Sequence, residues 1–239
     1  MNAFAKEHGE AARQPESFGI ALAKHFVDDT APVSRARIKI EMYPWNRLQH
    51  DGTPHPHAFA RSGEFVRTAT VTYDGENLWV VSGVKDYTVL KTTDSEFHGF
   101  LTDRYTTLQP TTDRVMATSV TGQWLHTDTQ QDWSKSYDQV VATMSSVFAG
   151  HHSLALQQTM YAMGEAIIDE QPEIGEVRFS LPNKHHFVVD LSPFGLENDN
   201  EVFYAADRAY GLIEGTIRND AFLDRAPAAG EAFDPGQGW

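Results

Sequence analysis

The chain has 239 residues, enough for one large domain or two small ones, and its hydrophobic fraction of 41% and aromatic fraction of 11% suit a globular protein with a sizeable core. It contains no cysteine, which excludes disulfides, thiolate zinc sites and thiol nucleophiles. The balance of 19 Lys plus Arg against 33 Asp plus Glu, a formal charge of −14, repels phosphate backbones and argues against nucleic acid as a partner.

No apolar run approaches the roughly 20 residues of a membrane-spanning helix. Neither MNAFAKEHGEAARQ at the start nor DPGQGW at the end carries a recognisable targeting signal, so the expected location is cytoplasmic, with no membrane contact. From Pro15 the recurrence of Phe18, Leu22 and Phe26 predicts a helix. In RARIKIEMYPW, Ile38, Ile40 and Met42 alternate with Arg37, Lys39 and Glu41, which predicts a half-buried strand. DGTPHPHAF reads as a loop leading into an extended segment, and FVRTATVTYDGENLWVV as two strands joined at Asp74-Gly75. The second of these continues, past an irregularity at Gly83, through YTVLKTT; DRVMATSVTGQWL forms another strand.

Two amphipathic helices follow. One covers Ser134 to Gly150, with Tyr137, Val140, Val141, Met144, Val147 and Phe148 on one side; the other starts near Ser153, carries the stripe Leu156, Met160, Met163 and Ile167, and ends at Pro172. A single strand is predicted from Val177 to Leu191, then a last extended region from EVFYAAD to LIEGTIR, and from about Asp220 a loose tail rich in Ala, Pro and Gly. The order strand, strand, helix, helix, strand, strand from about Asn77 to Arg218 is preceded by helix, strand, strand. This gives an α+β chain with an incomplete first unit (1–74), a complete second unit (75–222) and a flexible tail (223–239).

Several polar residues interrupt apolar faces. On the predicted strand from Val177, Asn183 and His185 fall in phase with Phe179, Leu181, Phe187 and Val189, and buried polar groups need partners. Arg114 is in phase with Met116, Val120 and Trp124; it either snorkels to water beside a carboxylate or grips a planar ligand with its guanidinium fork. The Gln157 amide either lies on the surface or matches the edge of a heterocycle, and Phe97 is either core or a stacking platform. His55 and His57 have the two-residue spacing of metal ligands but no evident third ligand, so no metal site is expected. His151 and His152 read as solvated, and no Ser-His-Asp motif, P-loop or GxGxxG cradle is present.

The stretch TVLKTTDSEFHGFLTDRYTTLQPTTDR closely resembles the signature of urate oxidases (uricases). HSLALQQTMYAMGEAI, SLPNKHHFVVDL and NEVFYAADRAYGLIEGTI agree with the same family, as do GTPHPHAFAR and NAFAKEHG. The resemblance implies a tunnelling fold, in which ββααββ units form an antiparallel sheet with helices on its outer face. It implies oxidation of urate by O₂ to 5-hydroxyisourate and hydrogen peroxide without metal or organic cofactor, in a homotetramer with sites between subunits. By the same resemblance Phe97 stacks under the purine, Arg114 and Gln157 hold its edges with Leu156 adding a backbone contact, Asn183 holds O₂ or water above the ring, and His185 belongs to a proton relay. The family also uses a Lys and a Thr-Asp pair upstream of the NAFAK-like segment. With the chain beginning at MNAFAKEHG, the expectation is that the first hairpin, the Lys and the Thr are missing, leaving a sheet edge open and activity impaired; a start placed too late is the favoured reason, over a separate polypeptide or a degenerate remnant. The alternative reading is a non-catalytic tunnelling-fold module that binds a purine or pterin or only oligomerises.

Overall fold

A computed structural model describes residues 1–61, 63, 65–206, 211–225 and 232–233. Two helices open the chain, α1 (Asn2–Glu7) and α2 (Pro15–Asp28). Pro15 sits in the first turn of α2, where a missing N–H costs no helix bond. The face that α2 buries runs through Gly19, Leu22 and Ala23, whereas Phe26 of the predicted stripe is largely exposed.

Among the described residues ten strands follow: β1 (Ala36–Met42), β2 (Trp45–His50), β3 (Thr53–Arg61), β4 (Val66–Tyr73), β5 (Leu78–Lys91), β6 (Met116–His126), β7 (Ile174–Pro182), β8 (His186–Val188), β9 (Phe203–Ala205) and β10 (Leu212–Arg218). Between β6 and β7 lie α3 (Trp133–Gly150) and α4 (Leu156–Glu170). Six strands make one antiparallel sheet in the order β1-β4-β5-β6-β7-β10. The run β5-β6-α3-α4-β7-β10 is the ββααββ unit of a tunnelling fold, and the architecture is α+β. Because β4 pairs with β5 along its length, the sheet continues without a break across residues 74 and 75.

The helices pack on one face of the sheet. Trp124, Val177, Phe179 and Leu181 meet Met144, Met160, Met163 and Ile167 of α3 and α4, and Val71 and Val80 meet Ala23 of α2. Val81 and Leu125 point the other way, as alternation along a strand requires, into a cluster with Phe222, Ala232 and Phe233. Ala232 and Phe233 were expected in the loose tail, but both are buried, and the Arg178 guanidinium lies 3.7 Å from the Phe233 ring centroid. The rest of the tail beyond Arg225 lies outside the described residues.

A buried polar chain joins α2 to the sheet. Arg67 donates to Glu16 (2.7 Å) and to the Trp133 carbonyl (3.1 Å), and Ser82 donates to the second Glu16 oxygen (2.6 Å). Ser82 also meets His126 Nε2 at 2.9 Å, while the Gln131 amide nitrogen lies 2.8 Å from His126 Nδ1. Since an amide NH₂ only donates, Nδ1 is the acceptor and His126 is neutral with its proton on Nε2. Burial, aided by the Arg67 charge, pushes its pKa down to about 3.

One glycine on α4 and one on β10 allow the two elements to approach closely. A Cβ on Gly164 would lie 2.6 Å from Ile217 Cδ1, and one on Gly215 would lie 2.3 Å from Met160 Cε, so each glycine receives the other element's large side chain.

Three expectations need correction. DGTPHPHAF is not a loop: β3 pairs with β2 in an exposed ribbon, and Asp51 and Gly52 both have positive φ (49° and 75°), as a two-residue turn between strands requires. The irregularity in β5 falls at Lys85 and Asp86 rather than Gly83; Asp86 has φ 63°, and the register with β6 shifts there. The strand from Val177 to Leu191 is two strands, because β7 stops at Pro182 and β8 pairs with β9 outside the main sheet. Pro182 removes a ladder donor at that point, and the chain leaves the sheet.

Candidate active site

The departure after Pro182 bears directly on the interrupted apolar face. Asn183 makes one isolated bridge to Thr118, its N–H donates to the Gly211 carbonyl (2.9 Å), and Lys184 N–H donates to the Ala117 carbonyl (2.8 Å). The His185 carbonyl accepts from Ala206 N–H (2.9 Å). The backbone is thus held while Asn183 and His185 turn to line a cavity of about 380 Å³, within the usual size of small-molecule sites.

Phe97, Arg114, Leu156 and Gln157 line the same cavity, so all six residues singled out in the sequence meet there. They come from three segments: the β5–β6 connection, the start of α4 and the end of β7. Ser95 joins the first two. Its carbonyl accepts from Arg114 N–H (2.8 Å), and the residue forms a parallel bridge with Ser153, four positions before Gln157. Two residues on, Phe97 exchanges backbone hydrogen bonds with Thr111 (2.8 and 3.0 Å), which fixes the turn carrying its ring.

Arg114 lies two residues before β6, at the mouth of the sheet, and its guanidinium sits 5.3 Å from the Phe97 ring centroid. Burial lowers its pKa, and its Nε is buried without a hydrogen-bond partner among the described residues. An Arg so placed is a cation awaiting an acceptor. Gln157 is exposed to the cavity in the first turn of α4, which has no side-chain cap, while Leu156 beside it is buried. His185 is held below the usual histidine pKa by burial and by the Arg114 charge, with a smaller contribution from His186. A neutral imidazole there can accept a proton.

The cavity also takes in Gln109, Asp113, Asn200 and Phe203, to which no periodicity pointed. They sit in or beside connections, where side-chain direction follows no fixed repeat. Asp113 accepts from Thr93 Oγ1 at 3.0 and 3.1 Å, tying the two ends of the β5–β6 connection together. His55 and His57 stand apart on the β3 ribbon with ring centroids 4.4 Å apart, and among the described residues no group of three or more His, Cys, Asp or Glu could hold a metal ion. No helix among the described residues is long and apolar enough to cross a membrane.

The family model described as uricase matches residues 4–72 and 80–214. The uricase of Arthrobacter globiformis is 49% identical over 205 residues, covering 86% of this chain and 67% of that protein. The uricase of Aspergillus flavus is 39% identical over 217 residues, covering 85% and 72%. The crystal structure of uricase from Arthrobacter globiformis superposes with a TM-score of 0.86 at 47% identity, covering 92% of this chain and 74% of that one. Family model, sequence identity and superposition therefore agree, and the chain belongs to the uricase family.

Proposed function

We propose that the cavity binds urate and that the chain serves its oxidation by O₂ to 5-hydroxyisourate and hydrogen peroxide. In that reaction water supplies a hydroxyl to the purine, and O₂ takes up two electrons and two protons. The observation that carries the reading is the partly buried Arg114, unpaired at Nε, set against the Phe97 ring in a cavity large enough for one bicyclic purine.

A urate anion is flat and lined with acceptors and donors. Phe97 offers its face as a floor, Arg114 a two-pronged cationic grip at one edge, and the Gln157 amide a donor and an acceptor at another. The first-turn N–H groups near Leu156 supply backbone donors. Deprotonated urate is electron-rich enough to reduce O₂, so what the protein adds is placement of charge and protons. Asn183 has the amide to hold O₂ or water above the ring, and neutral His185 stands beside it to move a proton. The resemblance supports chemistry without metal or organic cofactor and a homotetramer with sites between subunits. The named relatives give the non-catalytic module no support.

Loss of the urate absorbance band with release of one peroxide per urate tests the activity. Replacing Arg114→Ala should weaken urate binding by about a hundredfold, the worth of roughly two charge-assisted hydrogen bonds. Unchanged affinity in a titration of the folded variant refutes the site.

A further inference from the structure

Phe97 and Gln157 belong to segments 60 positions apart in sequence, yet a planar ligand needs its floor and its edge at a fixed spacing. Beyond the backbone pairing at Ser95 and Ser153, the His152 side chain also spans the two segments. His152 Nδ1 meets an Asp94 carboxylate oxygen, and its Nε2 meets Glu96 Oε1 at 3.2 Å. Two acceptor-only carboxylates facing both ring nitrogens require both nitrogens to carry protons, so the geometry calls for an imidazolium. His152 and Asp94 are about half exposed, whereas Glu96 is nearly buried, at 14%.

The surrounding groups agree. The other Glu96 oxygen meets His98 Nε2 at 2.9 Å, and Lys91 near Asp94 donates to the His151 carbonyl. On the α4 side the His151 ring faces the Thr159 hydroxyl at 3.5 Å, and Ser153 Oγ bonds Thr159 Oγ1 at 2.6 Å. Asp94 has φ 62°, a backbone conformation in which Asp or Asn is tolerated and most residues are strained, so its carboxylate is presented by the chain as well as by its rotamer. The Asp94 and Glu96 hydrogen bonds raise the His152 pKa, and both carboxylates are correspondingly lowered.

Resting on the urate reading above, we propose that His152, as a cation bonded to both carboxylates, is a positioning residue: it locks the Phe97 turn to the start of α4 and so sets the affinity of the cavity for a planar purine. Below its raised pKa the ring bridges both carboxylates. As pH rises through that pKa the ring loses one proton, can donate to only one carboxylate, and the lock loosens.

The test measures the dissociation constant of xanthine, a planar purine that serves as an unreactive probe, by calorimetry between about pH 6 and 9, for the full chain and for H152Q. Titration of xanthine itself and of His185 is common to both proteins and cancels in the ratio. H152Q should bind about threefold more weakly at the acid end, with the ratio falling toward one at the alkaline end. A ratio that stays constant with pH, or equals one throughout, overturns the proposal. If H152Q does not fold, D94N, which keeps the left-handed backbone comfortable, is read in the same way. A wild-type chain that binds no xanthine at any pH refutes the urate reading and this inference with it, whereas normal wild-type binding with a flat ratio refutes the inference alone.

Discussion

Arg67 and Arg114 enter the fold alike and end with opposite roles. Each precedes or lies on a strand in phase with apolar residues: Arg67 with Ala69 and Val71, Arg114 with Met116 and Val120. Arg67 is 6% exposed, ion-paired to Glu16 and stacked 4.4 Å from the Tyr137 ring centroid. Arg114 has an aromatic ring beside it, but no carboxylate partner among the described residues. A buried cation satisfied by its own chain fixes the fold, and one without a carboxylate partner among the described residues is where the proposed ligand would complete the structure.

Breaking the satisfied member should have the larger effect on stability. R67A leaves the Glu16 carboxylate buried and unpaired, which should cost about 3–5 kcal/mol in denaturant unfolding. An R67A chain of wild-type stability would show that the Glu16 network does not hold α2 to the sheet. Next comes His126. Its folded pKa of about 3 lies below the unfolded value, so between about pH 6.5 and 3 the unfolded state binds the extra proton, and stability is lost as pH falls through that window. H126Q should remove up to one proton from the slope, about 1.4 kcal/mol per pH unit, in melts across that range. Equal slopes for the two proteins would show that His126 is protonated in the fold. The smallest change in stability is expected for R114A. Its melting temperature should match or slightly exceed that of the wild type, because no ion pair with a described residue is broken, even as the proposed urate binding weakens. A melting temperature that falls as far as that of R67A would erase the distinction between the two arginines.

Much of this was legible because period and partner coincide. The stripe Leu156, Met160, Met163 and Ile167 predicts a helix and is buried as one, and the Asp74 turn forms with its carboxylate accepting from Glu76 and Asn77 N–H groups. The β2–β3 ribbon was hidden because it is exposed on both faces, so no apolar alternation marks it, and Pro54 and Pro56 mimic a loop. The break after Pro182 was hidden for the reverse reason, since the alternation through Phe187 and Val189 persists in sequence after the strand has left the sheet. Asn183 and His185 are polar in phase because they face a cavity, so the failure of the strand reading and the site share one cause. The Glu16–Arg67–Ser82–His126 chain has members up to 110 residues apart, and only the folded chain shows that Arg67 and Glu16 answer each other.

The exchange of glycines between α4 and β10 has a consequence at some distance. Ile217 seats on Gly164 and Met160 on Gly215, so the height of this helix above its strand is gauged by two side chains each resting on bare main chain. Gln157 stands at the front end of that helix and inherits the setting. A single added carbon at Gly164 would ride up on Ile217 and tilt the helix that carries Gln157, retuning the cavity without altering any residue that lines it.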